Sequence, residues 1–409
     1  MDKQNIKWIA VQPLTGGSFL GAKEAIGHTA EAIISFPGIS DITYDKNGNP
    51  TNVGNEHYLK TYLEKHNEMP LYYLFNHNMF EKDKYEEGDI DETFENIDLV
   101  IAVPVCSGLS NATSNGNKET RDNRNNNMKY ITNYVLTQIK PKAYIFENAP
   151  GFMSDQALGL RKDFEELAEQ TGYSILYYKT DTNLHNNCQK RPRTFIIFSK
   201  TEYALKFDWE NSHIDTKEYF GQMKESKFNN DTVETTIGNH EMMEFLKNKF
   251  GNTWRKTVKS DLMRFIMKNG LVDEFLDYIK DHSAYDKIEK YIRHAEYKVS
   301  IGKNYYNNSF CLPNDTYFSA VQFRSIPMML HPVEDRTCTT REFLHLMGMP
   351  ADFEWYGNEN NLPKIGQNVP VKTMKFIVEQ TLKSLAENNY FENRFVYQDN
   401  IKQQTIIVK

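Results

Sequence analysis

Short apolar runs alternate with segments of helical hydrophobic spacing through the first half of the 409-residue chain. A Gly-rich turn opens the first helical segment, and amphipathic segments follow at 128–140 and 160–172. The runs that predict strands are 8–14, 30–36, 97–103, 143–149, 173–180 and 194–199. Strands that alternate with helices predict an α/β fold, with a largely parallel sheet covered by helices on both faces.

The pattern changes between about 205 and 325 and then returns. Helical segments at 241–250, 260–270 and 273–295 precede an irregular aromatic stretch at 305–325. Helical spacing resumes at 339–348 and 369–389. We therefore predict an inserted module, and divide the chain into 1–204, the insertion 205–328, the return 329–390 and a short tail, 391–409, that is compatible with a strand.

Composition indicates an ordinary soluble protein, with 39% hydrophobic and 25% charged residues. We expect no membrane span, because no run of about 18 apolar residues occurs, and no signal peptide, because the first residues lack an apolar core. Cys106, Cys188, Cys311 and Cys338 lie far apart, so neither a zinc site nor a disulfide framework is indicated. These features predict a cytoplasmic monomer that holds no metal.

The net charge of −7 argues weakly against a nucleic-acid partner. A local basic face can nevertheless bind phosphate in a chain that is acidic overall. The stretches 247–260 and 189–193 are candidates for such a face. A solvated surface is the alternative interpretation of each.

The turn "PLTGGSFLGA" joins the first predicted strand to the first helix. Gly16 and Gly17 there would let backbone approach a nucleotide-like cofactor at a positive helix N-terminus, or would simply form a tight turn. Asp89 precedes the strand at 97–103 and could accept a hydrogen bond from a base amino group, with surface solvation as the alternative.

Three further segments place reactive side chains beside predicted strands. Cys106 follows a strand in "AVPVCSGLS", where it is either a packed core residue or a nucleophile at the carboxyl end of the sheet. Glu147 ends the strand of "AYIFENAPG", where surroundings of low dielectric would suit proton donation, or where it would cap the turn. Arg191 and Arg193 in "QKRPR" would share one face of an extended segment and suit a phosphate or a carbonyl oxygen.

The order of these motifs resembles that of the DNA cytosine carbon-5 methyltransferases. The resemblance covers about 7–200 and 329–385, and its most specific pieces are "ENAPG" with "QKRPR", "RTCTTREFLHLMGMPADF" and "IGQNVPVK". It implies a Rossmann-like methyltransferase domain with 205–328 as target-recognition domain. It also implies transfer of a methyl group from S-adenosylmethionine to carbon 5 of cytosine in double-stranded DNA, through a covalent cysteine adduct and base flipping.

By this resemblance Cys106 is the nucleophile, Glu147 protonates ring nitrogen 3, Arg193 holds the ring carbonyl oxygen, and Arg191 supports the active-site loop. The stretch 107–128 would be the loop that closes over the base. The residues implied to bind cofactor are Leu14, Gly16, Gly17, Ser35, Asp89, Pro104, Gln367 and Asn368. Those implied to contact DNA or to organise its recognition are Ser107, Gln189, Thr339, Arg341 and Glu342.

Several residues implied to surround the cofactor depart from the family pattern. Ser35 stands where the family has an acid that binds the ribose hydroxyls, and Leu14 replaces a Phe. Three outcomes stay open: weak binding, compensation by Glu31 or Asp41, or a modified cofactor such as carboxy-S-adenosylmethionine paired with Lys372. Val105, Ser107 and Gln367 are further departures.

Other functions remain as alternatives. A tRNA cytosine-5 methyltransferase of the same family keeps the region matching 205–325 small, so the length of this segment favours DNA. A catalytically inactive DNA-binding paralogue has no reason to retain Cys106, Glu147 and Arg193 together. The DNA enzyme would belong to a restriction-modification system or to a phage that masks its genome.

Overall fold

The computed structural model describes residues 3–76, 90, 93–104, 109, 118–233, 238–259, 261–302, 318–321, 326–357 and 359–408. The strands are β1 (Trp8–Val11), β2 (Ala32–Ser35), β3 (Ile42–Tyr44), β4 (Pro50–Val53), β5 (Leu71–Leu74), β6 (Leu99–Ala102), β7 (Ala143–Asn148), β8 (Ser174–Asp181), β9 (Gln189–Lys190), β10 (Pro192–Ser199), β11 (Phe318–Ser319), β12 (Phe395–Asp399) and β13 (Gln404–Ile407). The α-helices are α1 (Gly17–Ile26), α2 (Asn55–Lys65), α3 (Lys118–Tyr134), α4 (Leu158–Thr171), α5 (Thr216–Gly221), α6 (Asn239–Phe250), α7 (Trp254–Val258), α8 (Leu262–Lys268), α9 (Val272–Tyr278), α10 (Tyr285–Ser300), α11 (Thr340–Leu346) and α12 (Val371–Glu387).

A central sheet organises the chain. Within the described residues its nine strands lie in the order β5-β2-β1-β6-β7-β10-β8-β12-β13. The strands from β5 to β7 are parallel, whereas β10 runs antiparallel between β7 and β8. The predicted largely parallel sheet is therefore confirmed, and β10 is its internal exception.

Both faces of the sheet are buried. Along β1, Trp8 and Ala10 belong to one apolar cluster and Ile9 and Val11 to the other. Helices α1 and α12 supply residues to the first cluster, and α3 and α4 to the second. Strands covered on both faces have continuous apolar sequences, which explains the apolar runs in the sequence and confirms the predicted helical layers.

The C-terminal segment belongs to this sheet. Strand β12 pairs in parallel with β8, and β13 pairs antiparallel with β12 at the edge. The predicted strand is confirmed. Strand β5, helix α2 and the β3–β4 hairpin were not predicted, and the strands among them are partly exposed.

Helices α6 to α10 share a hydrophobic cluster of their own, which runs from Met242 to Ala295 and includes Leu330. The predicted helix over 273–295 is interrupted between α9 and α10. Apolar residues from Leu205 to Val233 pack instead in the main cluster beside the sheet. The division at 205 stays a prediction, since the separate core begins some 35 residues later.

The predicted loop over 107–128 is wrong in its second half, because α3 begins at Lys118. None of the helices in the described ranges combines the length and the apolar character that crossing a membrane requires.

Candidate active site

Four of the parallel strands direct their carboxyl ends to one edge of the sheet. Strand β1 leads to the turn that begins at Gln12, β2 ends at Ser35, β6 leads to Pro104, and β7 carries Glu147. Ligands of open α/β sheets bind outside this edge. Cys106, Ser107 and Asp89 lie outside the described residues, so their predicted contacts stay predictions.

Glu147 and Arg193 form an ion pair at this edge. Nε of Arg193 lies 2.5 Å from Oε1 of Glu147, and the two side chains are 20% and 4% exposed. The antiparallel register places Phe195 opposite Glu147, so Arg193, two residues earlier, lies diagonally across on the same face. The two residues come together because β10 runs antiparallel to β7.

The segment after β6 approaches the end of β7 closely. A Cβ atom at Gly151 would collide with the backbone carbonyl oxygen of Leu109. The last residue of "ENAPG" therefore has to be small. This contact brings the described residues on either side of 105–108, Pro104 and Leu109, to the edge that carries Glu147.

Arg191 is a positioning residue rather than a catalytic one. It is 2% exposed, and its guanidinium donates to the carbonyl oxygens of Val321, Gly366 and Asn368 at 2.7, 2.8 and 2.9 Å. Its backbone N–H donates to Asp181 Oδ1. The phosphate or carbonyl-oxygen contact that the sequence suggested for Arg191 is thus corrected to contacts with three separate chain segments, whereas its role in supporting the active-site loop stays a prediction.

Asn368 returns the end of the chain to the first Gly-rich turn. Its Oδ1 accepts a hydrogen bond from the backbone N–H of Gly17 at 2.8 Å and lies 2.7 Å from where a Cβ of residue 17 would stand. The segment "GQNVP" therefore lies beside this turn, and the cofactor contact implied for Asn368 stays a prediction. Gln367 is exposed and accepts from Nδ2 of Asn55, at the start of α2.

The first turn has an unusual backbone. Gln12, Leu14 and Gly16 all have positive φ, at 50°, 53° and 102°. Left-handed conformations of non-glycine residues cost about 1–3 kcal/mol each and cluster at ligand sites. Thr15 Oγ1 and Ser35 Oγ are buried there without a hydrogen-bond partner among the described residues. Unfilled buried oxygens beside a strained turn fit a polar cofactor such as a nucleoside.

Glu56 belongs to this surround, although the sequence did not predict it as a site residue. It lies in the first turn of α2, is 1% exposed, and accepts a hydrogen bond from the Tyr72 hydroxyl at 2.9 Å. The signal was an acid in the first turn of a helix that follows β2, but the β3–β4 hairpin separates the two in sequence.

Three residues predicted to contact DNA are buried and bonded within the protein. Oε1 of Gln189 accepts from the backbone of Val321, and Thr339 caps α11. Arg341, 2% exposed, donates to four carbonyl oxygens between 349 and 353. The DNA contacts predicted for these side chains are therefore corrected to internal ones. In α11, Glu342 completes a capping box with Thr339 and pairs with Arg336.

The family follows from comparison of the whole chain. The sequence model of the C-5 cytosine-specific DNA methylases matches residues 52–383. The chain belongs to this family. It is a DNA cytosine-5 methyltransferase, as the resemblance of its motifs predicts.

Relatives of the methylase include type II methyltransferases. This chain is 25% identical over 289 residues to M1.HphI of Haemophilus parahaemolyticus, and the match covers 70% of this chain and 68% of that protein. It is 23% identical over 342 residues to M.DdeI of Desulfomicrobium norvegicum, covering 75% and 76%. A solved structure described as a DNA modification methyltransferase encoded within an E. coli prophage superposes with a TM-score of 0.52 at 18% identity, over 93% of this chain and 100% of the other. This likeness confirms the Rossmann-like fold.

Proposed function

We propose that the methylase transfers a methyl group from S-adenosylmethionine to carbon 5 of a cytosine flipped out of double-stranded DNA, with Cys106 as the covalent nucleophile. The observation that carries the proposal is the Glu147–Arg193 pair at the carboxyl edge of the sheet. Pro104, two residues before Cys106 in the sequence, ends at the same edge.

Carbon 5 of cytosine is a weak nucleophile, and addition of a thiolate at carbon 6 makes it a reactive enamine carbon. The Cys106 sulfur forms the bond to carbon 6, while Glu147 supplies a proton at ring nitrogen 3. Arg193 orients Glu147 through Nε and has a terminal nitrogen, Nη2, that neither the Glu147 contact nor its bond to Pro192 uses. That nitrogen would hold the ring carbonyl oxygen. Carbon 5 would then take the methyl group, with S-adenosylhomocysteine as the leaving group. Water would remove the carbon-5 proton, the carbon–sulfur bond would break to return the thiolate, and ring nitrogen 3 would return its proton to Glu147.

S-adenosylmethionine supplies an electrophilic methyl group. Thr15, Ser35 and the backbone of the Gly16 turn would hold it, since their polar atoms lie at the ends of β1 and β2. Asn368 holds this turn by accepting a hydrogen bond from the Gly17 N–H. The cofactor contacts implied for Leu14, Pro104, Asp89 and Gln367 remain part of this proposal.

Lys372, the cation expected to pair with a modified cofactor, is engaged in other contacts. Nζ of Lys372 donates to the Asn186 carbonyl oxygen at 2.9 Å and lies over the ring of Tyr219. Burial lowers the pKa of this amine. Lys372 is thus occupied by the 186–219 region, which favours ordinary S-adenosylmethionine over carboxy-S-adenosylmethionine.

Expression in a bacterial host without cytosine-5 methylation tests the chemistry. Mass spectrometry of nucleosides should find 5-methylcytosine in DNA with the wild type and with Cys188→Ala, and none with Cys106→Ala. Cys188 is a matched control because it is a buried cysteine whose pKa burial raises to about 12. 5-Methylcytosine in RNA alone would support the tRNA alternative, a heavier carbon-5 adduct the modified cofactor, and unmodified DNA the inactive paralogue.

We further propose that 205–328 reads the DNA sequence, because α6 to α10 form a core separate from the sheet. The basic stretch 247–260 is a weaker DNA candidate than its sequence suggests. Lys247 and Arg255 both pair with Asp335, and Lys249 pairs with Glu274. Exchanging 205–328 for the matching segment of M1.HphI should change the methylated sequence found by methylome sequencing. An active chimera with unchanged specificity would refute the assignment.

We also propose a biological setting, which the names of the relatives support. Those named type II methyltransferases and the prophage-encoded structure favour a restriction-modification or phage-protection enzyme. Host DNA that becomes resistant to a restriction enzyme only while the methylase is expressed would support this setting.

A further inference from the structure

Glu56 is a buried carboxylate for which the proposed chemistry has no use. Loss of hydration raises its pKa from 4.5 to about 7, against the opposing effects of Ser35, Tyr72, Lys60 and the Leu14 backbone. A buried carboxylate with so raised a pKa is unusual in the first turn of a helix, because buried acids are normally paired or bind a ligand.

The hydrogen bonding of this carboxylate is half complete. Oε2 accepts from the Tyr72 hydroxyl at 2.9 Å. Oε1 and the Ser35 and Thr15 hydroxyl oxygens have no partner with good hydrogen-bond geometry within the described part of the chain, although Ser35 lies near enough to Glu56 to lower the pKa of its carboxyl. These three unfilled oxygens belong to residues at or beside the ends of β1 and β2. Buried polar atoms in native proteins are nearly always paired, so such a cluster marks the position of a missing polar partner.

The β3–β4 hairpin separates Glu56 from β2 in the sequence, but the chain returns to the end of β2 where α2 begins. The β3–β4 hairpin leaves the end of β2 and returns at Gly54, whose N–H donates to the Asp41 carbonyl oxygen at 2.7 Å. A Cβ at Gly54 would collide with the Ile39 carbonyl oxygen, and Glu56 N–H donates to that same oxygen at 3.3 Å. The first turn of α2 is therefore fixed against the segment that follows β2.

The helix face that carries Glu56 also contacts the Gly16 turn. Leu59, three residues after Glu56 and hence on the same helix face, lies 2.7 Å from where a Cβ of Gly16 would stand. Glu56 thus reaches the space between the Gly16 turn and Ser35 from a third element.

The two acids suggested by sequence do not reach this space. Glu31 precedes β2 and so lies at the amino end of the strand, where its N–H bonds the Trp8 carbonyl oxygen. Asp41 is exposed. Compensation by Glu31 or Asp41, one of the three outcomes that the sequence left open, is therefore less favoured than compensation by Glu56.

We propose that Glu56 is the carboxylate that binds the ribose hydroxyls of S-adenosylmethionine, replacing the acid absent at Ser35. The Tyr72 hydroxyl holds Oε2, and Oε1 accepts a hydrogen bond from a ribose hydroxyl. Ser35 stays small because a second carboxylate there would repel Glu56. The inference rests on the proposed use of this cofactor and deepens it by naming the residue.

Isothermal titration of the full-length protein with S-adenosylhomocysteine and with its 2′,3′-dideoxyribose analogue tests the proposal without activity. Glu56→Gln keeps the shape but removes the charge, and should weaken S-adenosylhomocysteine binding about ten- to a hundred-fold. The same substitution should change binding of the dideoxy analogue much less, because that ligand has no hydroxyls for the carboxylate.

Glu165→Gln is the matched control. Glu165 is another acid that accepts from a tyrosine hydroxyl, that of Tyr177 at 3.0 Å, but it is only half-buried and lies on α4. It should leave both affinities unchanged. Tyr72→Phe, a second variant that keeps the carboxylate, should weaken S-adenosylhomocysteine binding several-fold.

Equal losses for both ligands in Glu56→Gln would make Glu56 merely structural and overturn the proposal, as would wild-type affinity in that variant. In both cases the wild type still binds S-adenosylhomocysteine, so the proposed function stands. A wild type that binds neither S-adenosylmethionine nor S-adenosylhomocysteine would overturn the proposed function together with this inference.

Discussion

Nε of Arg193 lies 2.5 Å from Oε1 of Glu147, across the antiparallel pairing of β10 with β7. The two residues are 46 positions apart in sequence. Strand β10 begins at the edge where β7 ends, so both side chains reach the same edge as the loop after β6. The pair gives the buried carboxylate a counter-charge and fixes its orientation.

Glu147→Gln should lower kcat about 10²–10⁴-fold, because the amide cannot supply a proton at ring nitrogen 3. DNA affinity and S-adenosylhomocysteine affinity should change little. Single-turnover methylation of DNA at its methylated sequence, with binding measured separately, checks this expectation.

Asp399→Asn is the control for loss of a buried ion pair away from the candidate site. Asp399 is 4% exposed at its side chain and pairs with Lys179 at 3.1 Å, on β12, three strands from β7. It should cost stability without lowering kcat. A Glu147→Gln variant as active as Asp399→Asn would contradict the assigned role.

Arg191→Met should destabilise the fold by about 3–5 kcal/mol, because it leaves three buried carbonyl oxygens without their donor. Arg191→Lys should not restore stability, since one ammonium cannot match the planar fork of a guanidinium. Urea unfolding followed by circular dichroism measures both. Full stability with lost catalysis would instead indicate that Arg191 contacts substrate.

Gly17→Ala should abolish or strongly weaken cofactor binding, because the new Cβ collides with the Val369 carbonyl oxygen and stands 2.7 Å from Asn368 Oδ1. Gly159→Ala is the matched control in α4, where nothing lies within 4 Å of the added Cβ. It should stabilise the protein by up to about 1 kcal/mol. Thermal melting and titration with S-adenosylhomocysteine distinguish the two; an unaffected Gly17→Ala would contradict the close packing.

The stability of the cofactor-free protein should depend on pH through Glu56. The pKa of this acid is 4.5 when exposed and about 7 when folded, so the folded state binds the extra proton between these values. Stability is therefore lost as pH rises from about 4.5 to 7. The facing groups are Lys60, which favours the charged carboxylate, and Tyr72, whose own pKa burial raises.

Glu56→Gln has no such proton. Relative to this variant, the wild type should lose about 2–3 kcal/mol between pH 5 and pH 8 in urea unfolding. A difference that is constant over this range would show that Glu56 does not titrate there.

The strands and helices of the catalytic part were predictable where their surroundings impose one hydrophobic period. Strands β1, β6, β7, β8 and β10 have both faces buried, so each is a continuous apolar run. Strand β5 is half exposed at the sheet edge, and β3 and β4 form a small exposed hairpin. Partly exposed short strands carry little period-2 signal, and these elements were missed.

The sequence by itself determined the family of the methylase and the positions of its candidate groups, because these lie in short segments: Glu147 at a strand end, Arg193 at a strand start, and the turn with Gly16. Only the tertiary structure decided what Arg191, Arg341 and Gln189 do, since a polar side chain looks the same in sequence whether it contacts a ligand or a distant carbonyl oxygen. It also brought Glu56 beside Ser35, over a hairpin of 12 residues from 42 to 53. Contacts between residues on different elements depend on how those elements pack, and the spacing of residues within one element does not specify that packing.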